Sequence, residues 1–507
     1  MALPTSASAV VGNAATDGTY TFTAKIDIGG LRSCSGALVD KQWILTAGSC
    51  FVDVPTANPH PPAGAPKLKS TATIGRTDLN GGTGSVVGIV ELVPHPDRDL
   101  VMARLAKPVS GITPVALAKA PPATGESLQV AGYGRTKDTW VPTRLHTGSM
   151  AVTAVHDGTV ELAGQGPEKT AICRGDTGGP AIRVTDGRTE LVAVHSTSWQ
   201  NGCLGSDAPQ DGATDTRADD LGPWVQKIAY APVFAAQPWK QARLSTAGYF
   251  TGGSPGTSRH MDLIVKWSDG EVTLYQGAEG NDPRYPFAAE HRLAPAKGLW
   301  THAVSLSAGR FTGSGPDGLI VRWDDAELTQ YTHVSPDGFT GEKRLAPARN
   351  ATWPKAHQLT VGNFTGSTLR DDLLVVWDNG RVTLFPDTDA NGLRGEEQVI
   401  KANTTWPYAD RIAAGHFTGK PTDDLLVRWY DGEMTIYSGS TSAGIGTEHN
   451  VRPAKSVWRY ADILTPGAFT ANQVPNDLFV KWEGGAVSLY DGVDTAGLHA
   501  ETKLFVP

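Results

Sequence analysis

The chain of 507 residues is short of cysteine, short of basic charge and without long apolar runs, and each shortage narrows what it can be. Lys and Arg number 44 against 52 Asp and Glu, a net charge of -8. With no basic tract to offset phosphate repulsion, nucleic acid is excluded as a main partner. No apolar stretch is long enough to span a bilayer as a helix. The four cysteines form two local pairs, Cys34 with Cys50 and Cys173 with Cys203. Such pairing in an otherwise cysteine-free chain reads as two disulfides and an oxidising compartment; four free buried thiols are the alternative. A full signal peptide is missing, yet Ala7-Ser8-Ala9 has the small-residue form of a leader cleavage site. Residues 1–9 therefore read as a leader remnant or a disordered N-terminus on a secreted, extracellular protein.

What is abundant is Gly (58) and Pro (34), with 40 % apolar residues, a composition suited to strands and turns. The expected fold class is all-β in two domains, at 10–230 and 237–507, joined by a linker at 231–236. The first domain has no internal repeat. Its short apolar runs, such as Leu191-Val192-Ala193-Val194, lie between turn-rich segments, and Leu221–Ile228 reads as a closing helix.

After residue 236 one unit recurs five times. A Trp (239, 300, 353, 406, 458) precedes a Gly by nine positions, and Gly-x-Phe-Thr-like segments follow with Phe at 250, 311, 364, 417 and 469. An Asp (262, 317, 372, 424, 477) then leads an apolar strand that ends in Trp at 267, 323, 377, 429 and 482. A period near 53 residues holds about four strands, one propeller blade, and five blades close a ring without an exposed sheet edge. The chain finishes on Glu501-Thr502-Lys503-Leu504, the piece that precedes the next Trp elsewhere, so both termini are expected to complete one blade.

Six segments of the first domain, in order, resemble the trypsin-like (chymotrypsin-fold) serine proteases. They are Val10-Val11-Gly12-Asn13, Cys34 through Cys50, Asp99–Leu105, Cys173-Arg174-Gly175-Asp176-Thr177-Gly178-Gly179-Pro180, Ser198–Cys203, and the segment around Trp224. The resemblance implies a double β-barrel with the triad Asp at Asp99 and an oxyanion hole of the Gly175 and Thr177 amides. It also implies that Asp176 receives a new N-terminal amine, at Val10 if the leader is cut after Ala9. The departures matter more. Ser49 stands where the family has its catalytic His, and Thr177 stands at the nucleophile. A hydroxyl has no useful basicity near neutral pH, so Ser49 cannot take the proton that the triad mechanism moves. Another His (His60, His95 or His195) would have to reach Thr177 to replace it. Ala171 matches the trypsin-type specificity Asp, so no preference for basic side chains is inherited. The domain is expected to be no enzyme, and its cleft to hold a protein by pairing with the Ser198-Trp199 strand.

The second domain faintly resembles calcium-loop propeller repeats, but loops such as Asn363–Ser367 lack the closely spaced carboxylates a hard cation needs. No metal and no cofactor are expected. The Trp and Asp placement resembles five-bladed propeller lectins of the tachylectin type, with one Trp set packed between blades. Trp267, Trp323, Trp377, Trp429, Trp482 and the five Asp are then the ligand-binding candidates. An indole face stacks on a sugar's C–H face, and weak sites gain by multivalency.

Together the two domains resemble the trypsin-like/lectin (UmbA-type) subunit of the umbrella toxin particles secreted by Streptomyces. That resemblance implies a non-catalytic targeting subunit in interbacterial antagonism. Its pseudoprotease domain would dock a small adaptor protein carried on a large toxin-bearing stalk subunit, and its propeller would bind cell-surface carbohydrate. The rival readings are a secreted protease with an unusual active site and a stand-alone secreted lectin.

Overall fold

The computed structural model describes residues 13–165, 169–257, 259–279, 283–470, 472 and 474–507. The expected leader remnant and the Val10 amine lie outside them. The chain divides into two compact units, residues 1–229 and 230–507. Among the described residues no helix is long and apolar enough to cross a membrane.

The first unit is two six-stranded barrels. In strand Thr23–Ile28, Ala24, Ile26 and Ile28 are buried while Lys25 and Asp27 are not, the two-residue period that turns one face to a core. This strand opens a closed barrel with Arg32–Asp40, Trp43–Thr46, Val101–Leu105, Ser85–Pro94 and Ser70–Ile74. The second barrel runs His146–Val155, Thr159–Gly164, Ala213–Arg217, Arg188–Ser198, Pro180–Thr185 and Ser127–Gly132, the last pairing back onto the first. Disulfides join Cys34 to Cys50 and Cys173 to Cys203. The expected closing helix is present but longer: it spans Gly222–Ala235 and so occupies nearly all of the expected linker at 231–236.

The second unit is five antiparallel four-stranded sheets, and a closed ring of their first strands makes it a five-bladed propeller. The blades start with Ala242–Gly248, Ala303–Gly309, Ala356–Gly362, Ala409–Gly415 and Ala461–Gly467. Ring closure rests on the repeated Phe. Phe250, Phe311, Phe364 and Phe417 each pack into the core of the blade that follows, and Phe469 of the fifth blade packs into the first. Trp shares the wedge between blades with Phe, as expected: each blade's two Trp lie in one core with the preceding blade's strands, and Trp239 lies 5.8 Å from Phe479 of the fifth blade. The two Trp of each blade also meet each other, with ring centroids 4.9–5.6 Å apart.

One expectation is corrected. No blade is shared between the termini: Glu501–Phe505 pairs with Val487–Tyr490 in the sheet that Ala461–Gly467 began, so all five blades are built from consecutive strands. The ring closes through side chains and loops. Met261 donates its amide to the Ala468 carbonyl at 2.7 Å, and the hydroxyls of Ser245 and Thr465 share a hydrogen bond.

Candidate functional site

The cleft of the first unit has a volume of about 1040 Å³ and is lined by Ser49, Asp99, Gly175, Thr177 and Ser196 among others. The short turn Gly48–Phe51 after strand Trp43–Thr46 carries Ser49 to Asp99. The Ser49 amide donates to Asp99 Oδ1 at 2.7 Å and its hydroxyl to Oδ2 at 2.9 Å, while Ser196 Oγ donates to the same Oδ2 at 2.6 Å. Asp99 thus keeps the partners that would orient an imidazole, and a hydroxyl occupies the imidazole's place.

Thr177 sits on a turn that demands glycine beside it. Gly178 has φ +85, and a Cβ there would lie 2.0 Å from Thr46 Oγ1. Among the described residues neither the Thr177 hydroxyl nor the Gly175 and Thr177 amides donate to a protein group, so the two amides remain available to an oxyanion. The three candidate histidines are held elsewhere. His195 is fully buried with Nδ1 2.7 Å from Asp215 Oδ2. His95 packs edge-on against Trp224 at 5.0 Å, its Nδ1 accepting the Asp97 and Arg98 amides. The His60 amide donates to Asn58 Oδ1, and its buried Nδ1 has no partner among the described residues. None hydrogen-bonds Thr177.

Asp176 is fully buried and accepts the Gly134 and Cys173 amides at 2.7 and 2.8 Å; burial pushes its carboxyl up to about 6. Strand Arg188–Ser198 is paired beyond His195 on one side only, by Ala213–Arg217, which leaves an open edge at Ser196–Ser198. Ser196 and Thr197 line the main cleft. Ser198 lines a neighbouring 250 Å³ pocket with Ala171, and Trp199 is exposed. Sequence reading missed the rest of the cleft wall: exposed Leu31, Trp140 and Val141, with Lys25, Arg32, Arg135 and Arg174. The Arg135 guanidinium lies 4.5 Å over the Trp140 ring.

In the propeller the five Asp are not where a ligand could meet them. Asp262 is buried; it accepts the Phe250, Thr251 and Gly277 amides and the Thr251 hydroxyl at 2.7–2.9 Å. Asp372, Asp424 and Asp477 make equivalent bonds to their own Phe-Thr loops and to the exit of the third strand. They are loop anchors, and the expectation that they meet a ligand is corrected. Asp317 stands one residue out of register, because Gly318 takes the anchor position. Blade 2 extends its outer hairpin, and a Cβ on Gly318 would lie 2.3 Å from the Tyr331 carbonyl. Asp317 instead accepts the Tyr249 amide of blade 1 and pairs with Arg310 at 2.9 Å.

Trp267, Trp323, Trp377 and Trp429 are buried and Trp482 is nearly so; each indole N–H donates to a Thr or Ser hydroxyl on the third strand. Of these, Trp323 also lines a pocket of about 390 Å³. Two acidic residues that escaped the sequence reading gather around Asp372: Asp371, Asp372 and Asp387 bring carboxylate oxygens within 4.8 Å of one another. Burial and the two neighbouring carboxylates push Asp371 up to about 7.

Residues 9–224 match the trypsin family model, so the first unit carries a trypsin-like domain. Serine protease 56 of Homo sapiens is 28 % identical over 245 residues, 43 % of this chain and 38 % of that protein. Its Mus musculus counterpart is 25 % identical, over 45 % of this chain and 40 % of that protein. Serine protease SP24D of Anopheles gambiae is 26 % identical over 43 % of this chain and 79 % of that protein. The chain therefore spans about two-fifths of the length of the human and mouse relatives.

Proposed function

We propose that this chain is a secreted, non-catalytic targeting subunit: its trypsin-like domain docks a protein partner through the old substrate cleft, and its propeller binds cell-surface glycans. The observation that carries the first half is Ser49 bonded to Asp99 with no imidazole beside Thr177. Without a base the hydroxyl stays protonated, and little remains beyond binding and oxyanion stabilisation. Retention of the cleft, with an open strand edge and exposed Leu31, Trp140 and Val141 next to four cationic side chains, supports docking of an extended segment that is apolar and acidic. The partners that fit the resemblance are a small adaptor and, through it, a large toxin-bearing stalk subunit. The two disulfides support an extracellular location.

The relatives are named serine proteases, which favours proteolysis as the second reading. Co-purification from culture supernatant separates the two: the targeting reading expects a stoichiometric protein partner, lost when Trp140→Asp and Val141→Asp are introduced together. A chain that purifies alone and turns over peptide substrates would be the protease.

A further inference from the structure

Four of the five blades share a second constellation along the third strand, and in blade 3 Phe385 stands in the place of its Tyr. Cross-strand pairing sets Tyr275, Tyr331, Tyr437 and Tyr490 of the third strands opposite Glu290, Glu342, Glu448 and Glu501 of the fourth. In blades 1, 2 and 4 a second glutamate precedes the third strand. The Trp indole donates to a Thr hydroxyl, which donates on to this glutamate: Trp323 to Thr329 and Thr329 to Glu327, each at 2.9 Å in blade 2. Trp267, Thr273 and Glu271 repeat the relay in blade 1, and Trp429, Thr435 and Glu433 in blade 4. Each such site is therefore an aromatic floor carrying two carboxylates.

Two blades show what such a site accepts, because the chain fills them itself. In blade 3, Arg381 replaces the second glutamate. Its guanidinium lies 5.1 Å over the Trp377 ring and 3.0 Å from Glu396, which immediately precedes the fourth strand of that blade. In blade 1, Gln237 Nε2 donates to Glu290 at 3.0 Å while Phe234 covers Tyr275, with ring centroids 5.6 Å apart. One internal occupant is a cation over an indole; the other is an N–H donor beneath an apolar lid.

Blades 2 and 4 have neither over their glutamates. Blade 2 is hollow there, with a pocket of about 390 Å³ whose one histidine, His302, pairs with Asp324 and not with Glu327 or Glu342. Both sites carry exposed apolar groups at the rim. Leu299 is 65 % exposed on blade 2, and Tyr408 and Tyr430 are 63 % and 74 % exposed on blade 4, where the Tyr430 amide donates to the Tyr408 carbonyl. Surface tyrosines and a leucine beside paired carboxylates suit a ligand with an apolar ring face and a cationic edge, and the volume is that of a small-ligand pocket.

We propose that blades 2 and 4 bind amino sugars bearing a free ammonium group, which takes the place that Arg381 fills in blade 3, while the sugar ring lies against Leu299 or Tyr408 and Tyr430. This rests on the glycan-binding reading and names its ligand class. Two sites on one ring give avidity for a polymer of such sugars.

The test is titration calorimetry of the full chain with a β-1,4-linked glucosamine oligomer and with the same oligomer fully N-acetylated. The free-amine oligomer is expected to bind at least about tenfold more tightly, because acetylation removes the charge that the carboxylates receive. Glu342→Gln with Glu448→Gln should weaken it by about tenfold or more while the melting curve stays unchanged. Equal binding of both oligomers, unaffected by the variants, would overturn the amine assignment and leave glycan binding standing. Tight binding of oligolysine with no response to either sugar would overturn it in favour of a basic protein tail. Silence towards every carbohydrate on an array would end the glycan-binding reading itself.

Discussion

Buried carboxylates serve different ends in the two units. In the trypsin-like domain each is singular: Asp176 caps the Gly134 and Cys173 amides and Asp215 faces His195, while half-buried Asp99 holds Ser49 and Ser196 at the cleft wall. Of the three only Asp99 lines the cleft with Thr177, and with Ser49 beside it both of its oxygens accept hydrogen bonds. In the propeller one buried Asp does the same work in four blades, anchoring the Phe-Thr loop so that Phe reaches the next blade. A repeated anchor serves the ring's stability, and the blades differ instead in other residues, such as Arg381 against Glu327 and Glu433.

The difference is open to test by separate perturbation of the units. Both disulfides lie in the first unit, so reduction is expected to cost it about 2–5 kcal/mol per bond and to leave the propeller's calorimetric transition in place. Loss of both transitions together would deny the units independent stability. Trp406→Ala empties a buried site against Trp429 and should lower only the propeller transition, by about 3–5 kcal/mol. Asp424→Asn keeps the size but replaces an acceptor of the Thr418 hydroxyl and the Gly439 amide with a group that is half donor. A loss of about 1–3 kcal/mol is expected, measured by chemical denaturation.

A further effect concerns pH. Folding holds the Asp371 proton up to about pH 7, whereas an unperturbed carboxyl, near 3.8, releases it earlier. The folded state therefore binds more protons between those values, and the propeller's stability falls as pH rises from about 4 to about 7. Asp371→Asn should flatten that part of the Tm–pH curve; an unchanged slope would place its cause elsewhere.

Much of this was legible in the residues. The five-fold period, the two-residue alternation and the cysteine spacing foretold the all-β class, the five blades and the two disulfides. The propeller's binding groups were misjudged because Asp reads as a surface residue in one dimension. Only the loop geometry shows four donors converging on Asp262. The Glu327 and Glu342 pair was invisible for the opposite reason: the two lie on different strands, brought together by a register that no spacing rule reveals. The shared-blade expectation failed because repeat boundaries in sequence do not say which strand begins a sheet.

The central claim is that Thr177 has no base. Its most direct measurement is turnover of a fluorogenic peptide library by the purified chain beside its Thr177→Ala variant, across pH 5 to 9. Identical traces are expected, both at the level of the buffer. Sustained cleavage by the unaltered chain that Thr177→Ala abolishes would contradict it.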